Sequence, residues 1–522
     1  MAEPFYITTA INYPNGRPHI GHAYEGIATD VVARFQLMRG RDVRLITGTD
    51  EHGLKMDQTA RKAGRATIDL ANEMSSYFRE MCAKLNISYD DFVRTTEPRH
   101  YTASTDLWKR MEANGDLYLD RYEGWYSVRD EAFYDESELV EGEGGARLSP
   151  QGTPVEWTVE ETWFFRLSAY QERLLAYYRD NPGFIRPESR RNEVLRFVEG
   201  GLKDLSVSRT SFDWGVPVPD SPGHVMYVWV DALTTYMTGV GFPDTDGDMF
   251  QRYWPADIHM IGKDIVRFHT VYWPAFLMSA GLPLPRQVFA HGFLLARGGE
   301  KMSKSAGNVV DPMELAERFG VDPLRYFFMR EIAFGQDGSY SAEAIVTRAN
   351  AELANSFGNL AQRTLSMIFK NCDGVLSGDF AFDEVDRALE SVVNDACRNL
   401  LPREFEALNF SAGLEAWMRA VFACNQYVDE QAPWALRKTD PERMAAVLMT
   451  LFRQVRALAI AVRPVVPASA DRLLDQLGIG ADARDFAALN DPDWLHGLVE
   501  RGFSVAQPVG VFPRLELPAE AS

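Results

Sequence analysis

The sequence predicts an α/β domain built on a parallel sheet, interrupted by a small insertion and followed by an all-helical bundle. Three observations carry that expectation. A strand–helix–strand unit opens the chain, short aromatic strand-like pieces replace it between about Gly115 and Trp214, and beyond about Ala349 only helical periodicity remains. At 522 residues the chain is in any case too long for one ordinary core.

Residues 5–13 alternate like a strand and break at Pro14-Asn15-Gly16-Arg17-Pro18, a dense turn signal. Ala23, Ile27, Val31, Phe35 and Met38 then mark one face of a helix that Gly40 can end. A second strand, 42–47, runs into Gly48-Thr49-Asp50-Glu51-His52-Gly53. Strand, helix, strand is a βαβ unit, which makes the domain Rossmann-like, with nucleotide expected at the C-terminal ends of the strands. In the insertion, Gly124-Trp125-Tyr126-Ser127, 155–157 and Trp163-Phe164-Phe165 read as strands around a Glu/Gly-rich loop at 136–152. Strand and helix signals resume at 225–229, 258–261 and 288–291. In the bundle Leu353, Phe357, Leu360 and Thr364 share a helix face, as do Trp417, Val421, Cys424 and Val428. The expected division gives 1–114 and 215–325 to the two halves of the α/β domain and 115–214 to the insertion. A linker at 326–349, a helical domain at 350–505 and a C-terminal extension at 506–522 complete it.

Apolar residues make up 46% of the chain and no Pro/Gly/Ser-rich or single-charge tract is present, so a disordered arm is not expected. The first strand begins at Phe5, leaving no room for a secretory signal. The most apolar stretch, 447–466, carries Arg453, Arg456 and Arg463, which speaks against a membrane span. Cys82, Cys372, Cys397 and Cys424 are scattered and form no C-x-x-C pair, supporting neither a disulfide framework nor a cysteine zinc site. A reduced, cytoplasmic protein is the expectation. The net charge of −20 argues at face value against a polyanionic partner, yet nucleic acid is held by local basic patches rather than by whole-chain charge.

Two motifs nearly three hundred residues apart carry the chemistry. His19-Ile20-Gly21-His22 lies where the first strand turns into its helix. Free N–H groups and the positive end of the helix dipole favour a phosphate there. Two imidazoles three residues apart can both face it, and Gly21 leaves room for a flat base against the backbone. Read alone, the motif fits equally well two histidines capping a buried turn. Lys301-Met302-Ser303-Lys304-Ser305 follows Arg297-Gly298-Gly299-Glu300. Two lysines with hydroxyls between them suit a clamp on departing pyrophosphate, whereas a generic Lys/Ser run would be a solvated loop. Together the motifs fit a carboxylate attacking the α-phosphorus of a nucleoside triphosphate. An amino acid's carboxylate is already ionised near neutral pH, so that reaction needs no general base. It needs charge stabilisation and in-line positioning, with Mg²⁺ bound to ATP.

With Ala10-Ile11-Asn12-Tyr13-Pro14-Asn15-Gly16, Gly48 to Gly53, Tyr227-Val228-Trp229-Val230-Asp231-Ala232 and Ile261-Gly262-Lys263-Asp264, these motifs resemble those of class I aminoacyl-tRNA synthetases. Within that class the chain is similar to the methionyl-tRNA synthetases over essentially its whole length. The resemblance implies methionine–tRNA ligase activity. Methionine and ATP would give methionyl-adenylate and pyrophosphate, and methionine would then pass to the 3′ end of initiator and elongator tRNA(Met). It implies catalytic roles for His19, His22, Lys301 and Lys304, and ATP contacts from Gly21, Glu25, Gly262, Asp264, His291 and Ser303. Asp50 should bind the substrate's α-amino group. Ile11, Tyr13, Trp229, Ala232, Tyr236 and His269 should line the methionine pocket, with Phe268 and Trp273 behind. Aromatic faces suit a soft thioether, although out of context those rings read as core. Asn359, Arg363 and Trp434 match positions that read the anticodon by hydrogen bonding and stacking. Out of context they read as a surface pair and a core tryptophan.

Two departures from the family's pattern matter. Many relatives carry a cysteine zinc knuckle in the insertion, but 115–214 contains no cysteine. No zinc or other protein-bound metal is therefore expected, and packing of residues such as Trp125 and Trp157 should hold that region. The sequence stops shortly after Phe512-Pro513-Arg514-Leu515-Glu516, without the appended domain that dimerises some relatives, which favours a monomer. The insertion is also too short for a hydrolytic editing domain, so the resemblance implies that homocysteine adenylate is removed by cyclisation in the synthetic site. Two other classes stay open on the residues alone. One is a small-molecule nucleotidyltransferase, which also carries His-x-Gly-His, and the other is an inactive paralogue that only binds RNA.

Overall fold

The computed structural model describes residues 2–129, 132–295, 309–376, 380–491, 493–500 and 503–517. Six parallel strands form its central sheet: β1 (Pro4–Thr9), β2 (Asp42–Thr49), β3 (Asp91–Arg94), β4 (Ile185–Arg186), β5 (Ile258–Gly262) and β6 (Val288–His291). Their order is β3-β2-β1-β5-β6-β4. β1 is central and buried on both faces, as a parallel strand covered by helices must be. The winding reverses between β1 and β5, so their C-terminal ends open the crevice where such sheets bind ligands.

Helix α1 (Ile20–Met38) starts directly beyond the proline-bounded turn and buries Ala23, Ile27, Val31, Phe35 and Met38. It ends at Arg39, and Gly40 follows with φ +83°, a left-handed conformation that costs glycine no Cβ clash. The stretch 225–229 divides between strand and helix. Only Val225–Met226 is extended, and Val228–Thr238 forms a helix, α2. Its β-branched and aromatic residues favour a strand locally. Almost every α2 side chain is buried, so the helix lacks the polar face whose period would have marked it.

In the insertion, Leu117–Ser127 and Glu156–Phe165 pair antiparallel along their length, with Trp125 opposite Trp157. The pieces expected at 155–157 and 163–165 are therefore parts of one strand. Trp125 and Trp157 meet edge to face, ring centres 5.4 Å apart, and the Arg147 guanidinium lies 4.7 Å from the Trp125 ring centre. The chain then leaves this sheet to supply β4, the edge of the main sheet, and returns at Leu205–Ser206 to pair with Phe164 and Phe165. Residues 115–214 are thus stitched into the α/β domain rather than appended to it.

The helical part includes α3 (Val321–Glu331), α4 (Asn359–Asn371), α5 (Phe410–Gln431), α6 (Pro433–Thr439) and α7 (Pro441–Val462). One apolar core runs from α1 through α3 into α5 and α7, and a second joins α2 to the root of the insertion. Arg325, fully buried on α3, donates to Asp30 of α1 at 2.6 Å and to the carbonyls of Leu85, Pro464 and Val465. A guanidinium satisfied from both sides fixes the bundle against α1. Among the described residues α7 is the one helix long and apolar enough to cross a membrane, and 89% of its most apolar window is buried inside the protein. Its composition is that of a central core helix.

Candidate active site

His19 is the N-cap of α1. Its Nδ1 accepts the Gly21 N–H at 3.1 Å, and Nδ1 of His22 accepts the His19 N–H at 3.0 Å, a reciprocal capping box. Both rings therefore use Nδ1 as an acceptor, so the neutral imidazoles carry their protons on Nε2. The rings stack with centres 3.8 Å apart. A Cβ on residue 21 would lie 2.9 Å from His19 Cε1, so glycine is what lets the rings take this position. Capping thus fixes the tautomer of both rings, with the proton on Nε2.

The same helix brings Glu25 back to β1. Its Oε1 accepts the Ala10 N–H at 2.9 Å, and its Oε2 lies 2.8 Å from His291 Nε2. His291 Nδ1 donates to the Gly292 carbonyl at 2.8 Å, so both ring nitrogens face acceptors. Burial works against a charge on His291, but the hydrogen bond and charge of Glu25 win and raise its pKa. Gly262 ends β5, and Asp264 stands exposed on the short helical turn that follows.

The second strand's C-terminal end is equally constrained. Asp50 N–H donates to the Asn12 carbonyl at 2.8 Å and Asn12 N–H to the Gly48 carbonyl at 2.9 Å, which locks the loops after β1 and β2 together. A Cβ on residue 48 would sit 1.9 Å from the Val93 carbonyl oxygen, so only glycine lets β2 and β3 approach this closely. Tyr13 follows Asn12, and its hydroxyl accepts the Met56 N–H at 3.2 Å. Tyr236 has its hydroxyl pKa pushed well above the ordinary value, by burial first and then by the charges of Glu25 and Asp50.

Tyr236 OH donates to His269 Nε2 at 2.7 Å, and His269 Nδ1 donates to the Ile265 carbonyl at 3.0 Å. Burial lowers the His269 pKa to about 4, so the ring is neutral at physiological pH. Trp229 lies flat on Phe268, ring centres 3.9 Å apart and planes 6° from parallel, and meets His269 edge-on. Phe268 and His269 sit on a π-helical turn, Phe268–Tyr272, a distortion that often re-aims side chains at functional sites. Trp273 is fully buried behind Tyr236, ring centres 6.3 Å apart, and Ala232 is buried on α2.

Beneath this wall lies a cluster that the sequence did not reveal. Asp231 of α2 is fully buried, and its two oxygens meet His52 Nδ1 at 2.5 Å and His100 Nε2 at 2.6 Å. Burial would raise the Asp231 pKa, but the two histidines hold it at about 2. The available signal was an acid inside the apolar run Val228 to Leu233, since a buried carboxylate requires partners.

Lys301, Ser303 and Lys304 lie outside the described residues. The chain just beyond them returns to the site: the Val310 carbonyl accepts the Ile20 N–H at 3.0 Å, at the start of α1. A cleft of about 550 Å³ flanks the site between insertion and sheet. It includes Asp264 and Phe268 but not His19, Glu25 or Asp50.

The family profile described as class I tRNA synthetases (M) matches residues 5–365, and the anticodon-binding domain of methionyl-tRNA ligase matches 381–517. The curated methionine–tRNA ligase of Brucella suis biovar 1 is 57% identical over 98% of both chains. That of Mycobacterium bovis is 56% identical over 99% of both. The chain belongs to the methionyl-tRNA synthetases. The structure of the Mycobacterium tuberculosis methionyl-tRNA synthetase in complex with methionyl-adenylate is similar, with a TM-score of 0.92 at 55% identity over 98% of this chain and all of that one. Its apo form gives 0.88 at 52% identity, over 99% of each chain. Near-full-length identity to synthetases decides against the small-molecule nucleotidyltransferase, which has no use for the helical domain.

In the helical domain Asn359 and Arg363 both lie on α4. The Arg363 guanidinium lies 5.5 Å from the Trp434 ring centre and pairs with Asp429 at 2.9 Å. Pro433 starts α6, and Trp434 is 50% exposed, available on one face rather than buried in a core. No group of three or more His, Cys, Asp or Glu side chains is placed to hold a metal ion among the described residues.

Proposed function

We propose that His19, His22, Glu25, Asp50 and the Trp229–Tyr236–His269 pocket form the methionine-adenylating site of this methionine–tRNA ligase. ATP enters as its Mg²⁺ salt, the ion riding on phosphate oxygens. The methionine carboxylate attacks the α-phosphorus, the bond to the β-phosphate oxygen breaks, and pyrophosphate leaves. The Nε2–H donors of His19 and His22, beside the positive end of α1, stabilise the charge that builds there. Asp50 holds the ammonium group. Both His269 nitrogens are already hydrogen-bonded and the ring is uncharged, so it offers nothing further to a polar side chain, and the aromatic faces of Trp229 and Tyr236 favour an apolar thioether. The 3′ end of tRNA(Met) then approaches through the flanking cleft, and its terminal ribose hydroxyl attacks the adenylate's carbonyl carbon, releasing AMP.

The observation that carries this reading is the pairing, at one switch point, of two Nε2–H donors with a buried carboxylate and an uncharged aromatic wall. ATP–pyrophosphate exchange measured across the amino acids should be fastest with methionine, and faster exchange with leucine or valine would overturn it. We further propose that Arg363 and Trp434 contact anticodon bases. Trp434→Ala should then leave exchange intact while lowering kcat/KM for tRNA about 5- to 150-fold, the worth of one base stack at about 1–3 kcal/mol. An equal loss in both assays would place Trp434 in folding instead.

A further inference from the structure

The histidine–aspartate–histidine cluster under the pocket joins parts of the chain that the insertion separates. His52 follows Asp50 by two positions on the loop after β2, and His100 lies on the helix Pro98–Ala113. Asp231 comes from beyond the insertion, on the helix that presents Trp229, Ala232 and Tyr236. Each end of the cluster is anchored again. His52 Nε2 meets Tyr101 OH at 3.0 Å, and His100 Nδ1 meets Thr238 Oγ1 at 2.9 Å near the C-terminal end of α2.

The residue between Asp50 and His52 is fixed as firmly. Glu51 is fully buried, takes a fork from Arg94 at 2.7 and 2.9 Å, and accepts from Thr96. Its carbonyl accepts the Trp214 indole N–H at 2.6 Å. Asp50 therefore stands on a loop held on one side to β3 and on the other, through His52, to α2. Asp231 and His100 are buried away from the cleft and act only through their neighbours.

We infer that Asp231 is a positioning residue that sets the distance between the ammonium-binding Asp50 and the apolar wall on α2. That distance is a ruler for amino acid length, so the cluster governs methionine affinity and the discrimination of longer side chains. The inference rests on the methionine-site reading above. An asparagine at 231 offers one acceptor and one donor to two imidazole N–H groups. One histidine must then change tautomer and its partners must reorient.

The test uses the full chain carrying Asp231→Asn and, separately, His100→Gln, whose side chain lies outside the cleft. For Asp231→Asn the KM for methionine in pyrophosphate exchange should rise about tenfold or more, since small misplacements of a binding group carry effects of that size. The KM for ATP should stay at the wild-type value, and the kcat/KM ratio of methionine over ethionine, one methylene longer, should contract. His100→Gln should shift the same two quantities in the same direction by less. Wild-type KM and ratio in both variants, with only the active fraction or the melting temperature lowered, would make the cluster merely structural and overturn the inference. Failure of the unaltered chain to activate methionine would instead overturn the site reading on which it rests.

Discussion

His22→Ala is expected to slow ATP–pyrophosphate exchange about 100- to 1,000-fold at saturating substrates, the usual effect of removing one preorganised donor from developing charge. The expectation follows from the tautomer. The His22 ring spends Nδ1 on the His19 N–H, which puts its proton on Nε2. Alanine removes that donor and also the cap, and loss of a cap costs about 1 kcal/mol of stability. Two further substitutions separate these effects. His22→Asn sets an amide near the position of Nδ1 and can restore the cap, whereas His22→Gln reaches the position of Nε2 and can restore the donor. Turnover should therefore fall in the order wild type, Gln, then Asn and Ala together. The melting temperature should instead rank wild type and Asn above Gln and Ala. Recovery of kcat by asparagine would show that the ring serves only as a cap.

The sequence exposed those parts whose physics is local. α1 was legible because one face is apolar and Gly40 ends it. β1 was legible from strand-like alternation ended by a dense turn signal, and β5 and β6 from the signals at 258–261 and 288–291. The extent of α2 was not legible because it is buried almost all round, and β4 left no trace because two residues carry no period. Pairings across the chain were invisible for a related reason. Asp231 meets His52 and His100 across 179 and 131 positions, and Glu25 meets His291 across 266. Periodicity says nothing of such distances, whereas short motifs did mark His19, His22, Asp50 and Trp229. What the motifs could not supply was the state of each group: which nitrogen of His22 bears the proton, that His269 is neutral, or that Gly21 makes room for a ring.

Asp50→Asn is expected to raise the KM for methionine about 100-fold, with the KM for ATP unchanged. Asp50 is 7% exposed, so an ammonium bound against it loses most of its water and depends on the carboxylate for compensation. Truncating one partner of such a pair typically costs about 2–5 kcal/mol, and the amide keeps one hydrogen bond, which places the effect inside that range. The loop should hold its shape, because Asp50 is fixed through its backbone N–H to Asn12 while Glu51 and His52 carry the side-chain anchors. Two methionine analogues tell the charge from the shape. Methioninol retains the amine and lacks the carboxylate, so its inhibition constant should rise in Asp50→Asn as the KM for methionine does. The deaminated acid, 4-(methylthio)butanoate, retains the carboxylate and thioether but has no ammonium for Asp50 to hold. It should inhibit wild type and variant equally, and an equal loss for both analogues would assign the effect to the loop rather than to the charge.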